Sequence, residues 1–337
     1  MKNAAEAGLF NIRYSLFNIR LKNNMLVFYD RNNYLCTITI IIPIIMMQIL
    51  VAIDFEPQSL IALEQSYNLA RLVPAEIVLI YVYDPPAGIR SLFGASYDED
   101  ILKKLEDQLA ALRASVQAET GLQVSTILEK GQVYSKILET ADKMQAAFII
   151  MGTHSQPELP GSAVGALGAN SSRVLRSTKC PVITINARHH FDGCRNILLP
   201  LDLTTESRQK VTWGIKIAKI YGAGIKVVSG IWSKNDPDVH NKLRFLAGQV
   251  KHVIEQEGIR CTAEIVEDVE NEKALIPAVL NYAEQQGDID LIMIMTQQET
   301  SVIEFFVGSR AQEFVRLSPV PVMSIAPKEL GFVSIFS

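Results

Sequence analysis

An apolar run over residues 147–152 ends in Gly152-Thr153-His154, and a loop of small residues follows, "GTHSQPELPGSAVGALGANSS". Beyond Gly168 the pattern turns helical. A loop that feeds a helix start presents backbone N–H groups to an anion, so phosphate binding is the chemistry this stretch offers. His154 could reach such a phosphate, or stand in solvent as an ordinary loop histidine. It has no partner at fixed spacing and is not read as catalytic. Gly152 would serve tight packing equally well, and Gly161, Gly165 and Gly168 would serve as hinges.

A second constellation, Cys180, His189, His190 and Cys194, raises a metal site. It lacks the CxxC or HxxxH spacing of structural zinc, and a strand start plus an interdomain linker is the preferred reading. The four cysteines are scattered, which fits a reducing, cytoplasmic setting rather than a disulfide framework. The chain has 337 residues, 48% hydrophobic and 20% charged, with a net charge of −4. That is ordinary globular composition without the basic stripe of a nucleic-acid binder or the polybasic run of a membrane anchor.

The elements that must position these residues repeat. "QILVAIDFEPQSLIALEQSYNLA" at 48–70 aligns without a gap on "NILLPLDLTTESRQKVTWGIKIA" at 196–218. Each apolar run ends in an aspartate, Asp54 or Asp202, and each reaches a serine, Ser59 or Ser207, suited to a helix N-cap. Either aspartate could simply open a turn. "GANSSRVLRSTKCPVITI" at 168–185 likewise matches "GSRAQEFVRLSPVPVMSI" at 308–325.

The first half predicts strands at 48–53, 76–83, 122–128, 147–152 and 181–186, with helices near 59–72, 98–120, 133–143 and 169–177. The second predicts strands near 196–201, 224–231, 260–266, 289–295 and 321–326, with helices near 207–221, 236–257, 272–286 and 309–317. Continuous β-branched runs alternating with helices imply parallel strands covered on both faces. The expected fold class is α/β, two tandem doubly wound five-stranded parallel-sheet domains. In the helix at 98–120, Ile101, Leu105, Leu109 and Leu112 form a stripe that packs on the sheet. Residues 84–100 are expected to form a long loop whose Phe93 and Tyr97 cover a ligand or dock on the surface.

The apolar stretch 35–53 is long enough to raise a membrane span. Pro43, the β-branched residues and the repeat of its second half favour a strand instead, and no membrane association is expected. Met46 or Met47 is read as the functional start. The expected organisation is an extension at 1–46 outside the fold, domains at 47–188 and 189–328, and a tail at 329–337.

Paired domains opening with "ILVAID" or "ILLPLD" and closing with "CPV" or "VPV" resemble a tandem universal stress protein, over residues 47–327. In that family the ATP binders carry Gly-x-x-Gly, about nine residues, then Gly-Ser or Gly-Thr opening a helix. The resemblance assigns the ribose and base to Asp54 and to the strand end at Val82, and the phosphates to Gly152, His154, Ser155, Gly168 and Ala169. The first half departs from the pattern. Ser155 stands at the second glycine, twelve residues separate it from Gly168, and Ala169 replaces the hydroxyl residue. The second half keeps Asp202 and Gly308-Ser309, but Met295 and Gln298 replace both glycines and Glu299 and Glu304 add negative charge.

The resemblance therefore implies a cytoplasmic stress-response sensor or scaffold. ATP or AMP would bind in the first half only, with Mg2+ accompanying ATP, and there would be no catalytic residue and no metal site. The two domains would pair through "PVITI" and "PVMSI", with a homodimer as a further form. The alternatives are an interaction protein without nucleotide and, ranked last, a weak ATPase, because no Walker lysine or acidic cluster is present.

Overall fold

The computed structural model describes residues 18–22, 25–29, 35–36, 46–85, 87–153, 167–186, 192–201, 207–231, 237–267, 269–296 and 309–327. The chain divides into two units, one of residues 1–46 with 328–337 and one of residues 47–327. In the first, β1 (Asn18–Lys22), β2 (Met25–Tyr29) and β3 (Leu35–Cys36) form an antiparallel sheet. Sequence reading found no period there and missed these strands.

In the second unit the first half runs β4 (Met47–Ala52), α1 (Pro57–Leu72), β5 (Ala75–Tyr83), α2 (Ala87–Thr120), β6 (Val124–Lys130) and α3 (Val133–Lys143). It closes with β7 (Phe148–Gly152), α4 (Ala169–Ser177) and β8 (Val182–Ile185). The second half repeats the order. Its elements are β9 (Asn196–Pro200), α5 (Ser207–Tyr221), β10 (Gly224–Gly230), α6 (Pro237–Gln256), β11 (Cys261–Val266) and α7 (Leu275–Gln286). Then come β12 (Leu291–Met295), α8 (Ser309–Leu317) and β13 (Val322–Ile325).

Each half is a parallel five-stranded sheet, ordered β6-β5-β4-β7-β8 and β11-β10-β9-β12-β13. The expected pair of five-stranded sheets is present, and the two meet edge to edge through the strands of "PVITI" and "PVMSI". β8 and β13 pair antiparallel and fuse them into one sheet of ten strands. Ile183 lies opposite Met323, with Thr184 opposite Val322 and Val182 opposite Ser324. In the aligned repeat Ile183 matches Met323, so this register is symmetric about that pair, as an isologous contact requires.

Alternation along the strands sorts the core. Leu50, Val78, Ile149, Met151 and Val182 face α3 and α4, in a cluster that continues through Leu198 and Val228 to Val279 of α7 and Phe314 of α8. The intervening residues Ile49, Val51, Ile77, Leu79 and Ile150 are equally buried on the other face, where α1, α2, α5 and α6 pack. Full burial of such side chains stabilises by about 1.5–3 kcal/mol each, which explains the unbroken apolar runs in the sequence.

Three expectations are corrected. The long loop at 84–100 is absent, because α2 begins at Ala87 and holds positions 93 and 97 in helix. Of the expected stripe Leu109 is buried and Ile101, Leu105 and Leu112 are half-buried, and Val116, one turn further on, is buried as well. Ser59 is not the N-cap of α1. The helix starts earlier, with Glu56 as N-cap and Pro57 at the first position, where its fixed φ and missing N–H cost nothing. The first turn expected at 272 is 3-10 over Glu272–Ala274 before α7 begins. No helix among the described residues is long and apolar enough to cross a membrane.

Candidate functional site

The sheet of the first half reverses direction of winding between β4 and β7, and doubly wound folds open a crevice at that point, beyond the carboxyl ends of the strands. Here the crevice is a cleft of about 330 Å³, within the usual size of small-molecule sites, roughly 300–1,000 Å³. One side is apolar, with Ile80 and Val82 of β5 and Val133 and Ile137 of α3. The other side is polar, with Asp54, Glu56, Ser59, Asn170 and Ser171.

The polar rim is built by a tight turn. Asp54 follows the end of β4 and is exposed. Its Oδ1 accepts the Glu56 N–H at 3.0 Å, and its own N–H donates to Ser59 Oγ at 3.3 Å. Ser59 Oγ in turn donates to the Glu56 carbonyl at 2.9 Å. Between them Phe55 takes a φ of 64°, a left-handed conformation that costs a bulky residue roughly 1–2 kcal/mol. Its ring is tilted against Tyr81 at 5.4 Å. Burial, and then the charge of Asp54, push the Tyr81 hydroxyl above its ordinary pKa.

The far wall is the end of β7 and the start of α4. Gly152 is the last strand residue and lines the cleft. A Cβ there would stand 3.1 Å from Gln58 Cβ and 3.2 Å from its carbonyl carbon, so glycine lets α1 approach. Ser171 Oγ donates to the Gly152 carbonyl at 3.0 Å. Gly168 is the N-cap of α4, and its N–H donates to the Thr153 carbonyl at 2.9 Å. That leaves the N–H groups of Ala169, Asn170 and Ser171, the first turn of α4, without intrahelical acceptors.

The structure thus brings Asp54, Val82 and Gly152 together on one cleft, while Gly168 and Ala169 begin α4 without lining it. Ala169 is exposed and does not line the cleft, whereas Asn170 and Ser171 do. His154 and Ser155 lie outside the described residues. Sequence reading missed Ser59, Tyr81, Val133, Asn170 and Ser171. The "SS" after Gly168 was the available signal for Ser171, while Val133 joins only through tertiary packing.

In the second half Leu201, Val228, Gly230, Leu275 and Phe314 enclose a hollow of about 10 Å³ beside the ends of β9 and β10. Leu275 of α7 packs over Gly230, its Cδ2 lying 2.5 Å from where a Cβ there would stand. Met295 is buried at the end of β12. Asp202, Gln298, Glu299, Glu304 and Gly308 lie outside the described residues, as does the Ser309 side chain. Among the described residues no group of histidine, cysteine and acidic side chains could hold a metal. Cys180 precedes β8 with its Sγ 3.1 Å from the Ala146 carbonyl, and burial pushes the Cys194 thiol up to about 12.

Two doubly wound halves, joined through their fifth strands and carrying a ligand-sized cleft at the first switch point, define a tandem α/β protein of the Rossmann-like class. The model of the Universal stress protein family matches residues 46–186 and again 193–325. The chain belongs to that family. Universal stress protein Slr1230 of Synechocystis is 22% identical over 285 residues, covering 77% of this chain and 94% of that protein. Universal stress protein MJ0531 of Methanocaldococcus jannaschii is 29% identical over 141 residues, 41% of this chain and 81% of that protein. Among solved structures, a universal stress protein from Archaeoglobus fulgidus superposes with a TM-score of 0.64 at 20% identity, covering 84% of this chain and 97% of that one.

Proposed function

We propose that this chain is a cytoplasmic stress-response sensor or scaffold whose first domain takes up an adenine nucleotide while the second does not. The carrying observation is the cleft of about 330 Å³ at the first switch point, apolar on one side and bearing Asp54 on the other, whereas Leu275 crowds Gly230 and Met295 is buried at the matching strand ends. In this reading the base rests against Ile80, Val82, Val133 and Ile137. The ribose meets Asp54, and the phosphate meets the N–H groups of the first turn of α4 that have no acceptor within the helix. ATP would arrive with Mg2+.

One observation favours a scaffold without nucleotide. The Gly168 N–H is already used on Thr153, and Ala169 offers no hydroxyl. Calorimetric titration of the full chain with AMP and with magnesium-ATP separates the two. One site per chain, weakened about tenfold or more by Asp54→Ala through loss of a charge-assisted hydrogen bond, is the expected result. No heat at millimolar nucleotide would leave the scaffold, and two equivalent sites would refute the restriction to the first domain.

A further inference from the structure

Among the described residues two other than glycine hold a left-handed backbone, Phe55 at a φ of 64° and Gln145 at 53°. Gln145 stands just beyond the end of α3, where a left-handed residue ordinarily closes a helix. Phe55 precedes α1, and no helix start asks for that conformation. Bulky side chains are rare in this region, which suits glycine, asparagine and aspartate. Strain of this kind persists only where its surroundings over-determine it, and it gathers at ligand sites. Here the surroundings do so twice. The Phe55 ring packs on Tyr81 at 5.4 Å. Around Phe55 a closed circuit of hydrogen bonds runs from Asp54 through Ser59 to Glu56 and back. Asp54, Glu56, Ser59 and Tyr81 all line the cleft, whereas Phe55 itself does not.

Resting on the reading that this cleft takes an adenine nucleotide, we infer that Phe55 is a positioning residue whose left-handed backbone, rather than its ring, aims the Asp54 carboxylate at the ligand. The two carboxylate oxygens have separate duties. Oδ1 accepts the Glu56 N–H at 3.0 Å, in a bond that spans Phe55 and holds the turn. Among the described residues Oδ2 accepts no hydrogen bond, which leaves it for a ribose hydroxyl in the cleft. A residue that resists a positive φ opens this turn, breaks the bond from Glu56 and swings the carboxylate away. The contact with Tyr81 offsets the strain and lets phenylalanine stay in place. Glycine or asparagine takes the same conformation without that support.

The test titrates the full chain with AMP by calorimetry, as wild type, Phe55→Gly, Phe55→Asn and Phe55→Val, with urea unfolding to establish that each is folded. Should valine unfold the chain, Phe55→Ala, a milder misfit, takes its place. Expected is wild-type affinity in Phe55→Gly and Phe55→Asn, and a loss of about tenfold in Phe55→Val, matching that of Asp54→Ala. A second readout needs no nucleotide. Burial, and then the Asp54 charge, hold the Tyr81 hydroxyl above its ordinary pKa. Tyrosinate titration, with Tyr81→Phe as the subtraction control in each background, should place Tyr81 lower in Phe55→Val than in Phe55→Gly. Burial alone gives the opposite order, because valine covers more of Tyr81 than glycine does. Equal losses of affinity in Phe55→Gly and Phe55→Val would give the role to the ring and overturn this inference. Wild-type affinity in Phe55→Val, or Tyr81 no lower there than in Phe55→Gly, would overturn it too. No AMP binding by the wild type would overturn the nucleotide reading, and the Tyr81 order would still decide whether the backbone at position 55 places Asp54.

Discussion

Tyr81 reports on Asp54 without any ligand. Burial is the larger cause of its raised pKa and the Asp54 carboxylate the second. Removing that charge in Asp54→Asn should lower the Tyr81 pKa while leaving it above the ordinary value of about 10, because burial persists. Ultraviolet titration of tyrosinate, with Tyr81→Phe as the subtraction control, measures this. The sign for stability follows. A folded pKa above the unfolded one means the contribution is complete below pH ~10 and is lost as pH rises toward the folded value. An unchanged Tyr81 titration in Asp54→Asn would show that the two groups do not interact. Asp54 was legible in the sequence because an aspartate ends both repeated runs. Tyr81 was not, since its role depends on the turn that brings Phe55 against its ring.

Among the elements, the start of α1 and the end of β7 depend on each other at Gly152. A side chain there presses on the Gln58 backbone, which cannot yield without moving the first turn of α1. Gly152→Val should lower stability by about 1–3 kcal/mol in urea unfolding and weaken nucleotide binding, because the same turn carries Asp54 and Glu56. Stability equal to wild type would show that α1 has slack. The helices α3 and α4 were legible to the residue, since their apolar spacing and the glycines before them agree. The start of α2 was not. Pro85, Pro86, Gly88 and Gly94 read as a loop, yet a proline pair just before Ala87 suits a helix start. Pro57 carried the same signal for α1, and the serine two residues later drew the cap to the wrong place.

For the whole domain pair, stability rests on the Ile183–Met323 crossing of β8 and β13, both side chains buried. Thr184 Oγ1 adds a bond to the Val322 carbonyl at 3.2 Å, and Asn186 Nδ2 adds one to the Ser318 carbonyl at 2.6 Å. Met323→Lys sets an unpaired charge in this seam, a change costing about 3 kcal/mol or more. Calorimetry should then resolve two unfolding transitions where the wild type gives one. A single transition at lower temperature would show that the halves are coupled by more than the seam. The repeat foretold the apolar character of both strands, whereas the approach of Leu275 to Gly230 needed the packing of α7. The seam also separates this chain from any arrangement in which equivalent strands must meet by collision. Residues 186–195 hold the partners at an effective concentration of about millimolar. The pairing is therefore insensitive to dilution, and a cell that makes very few copies still has every copy assembled.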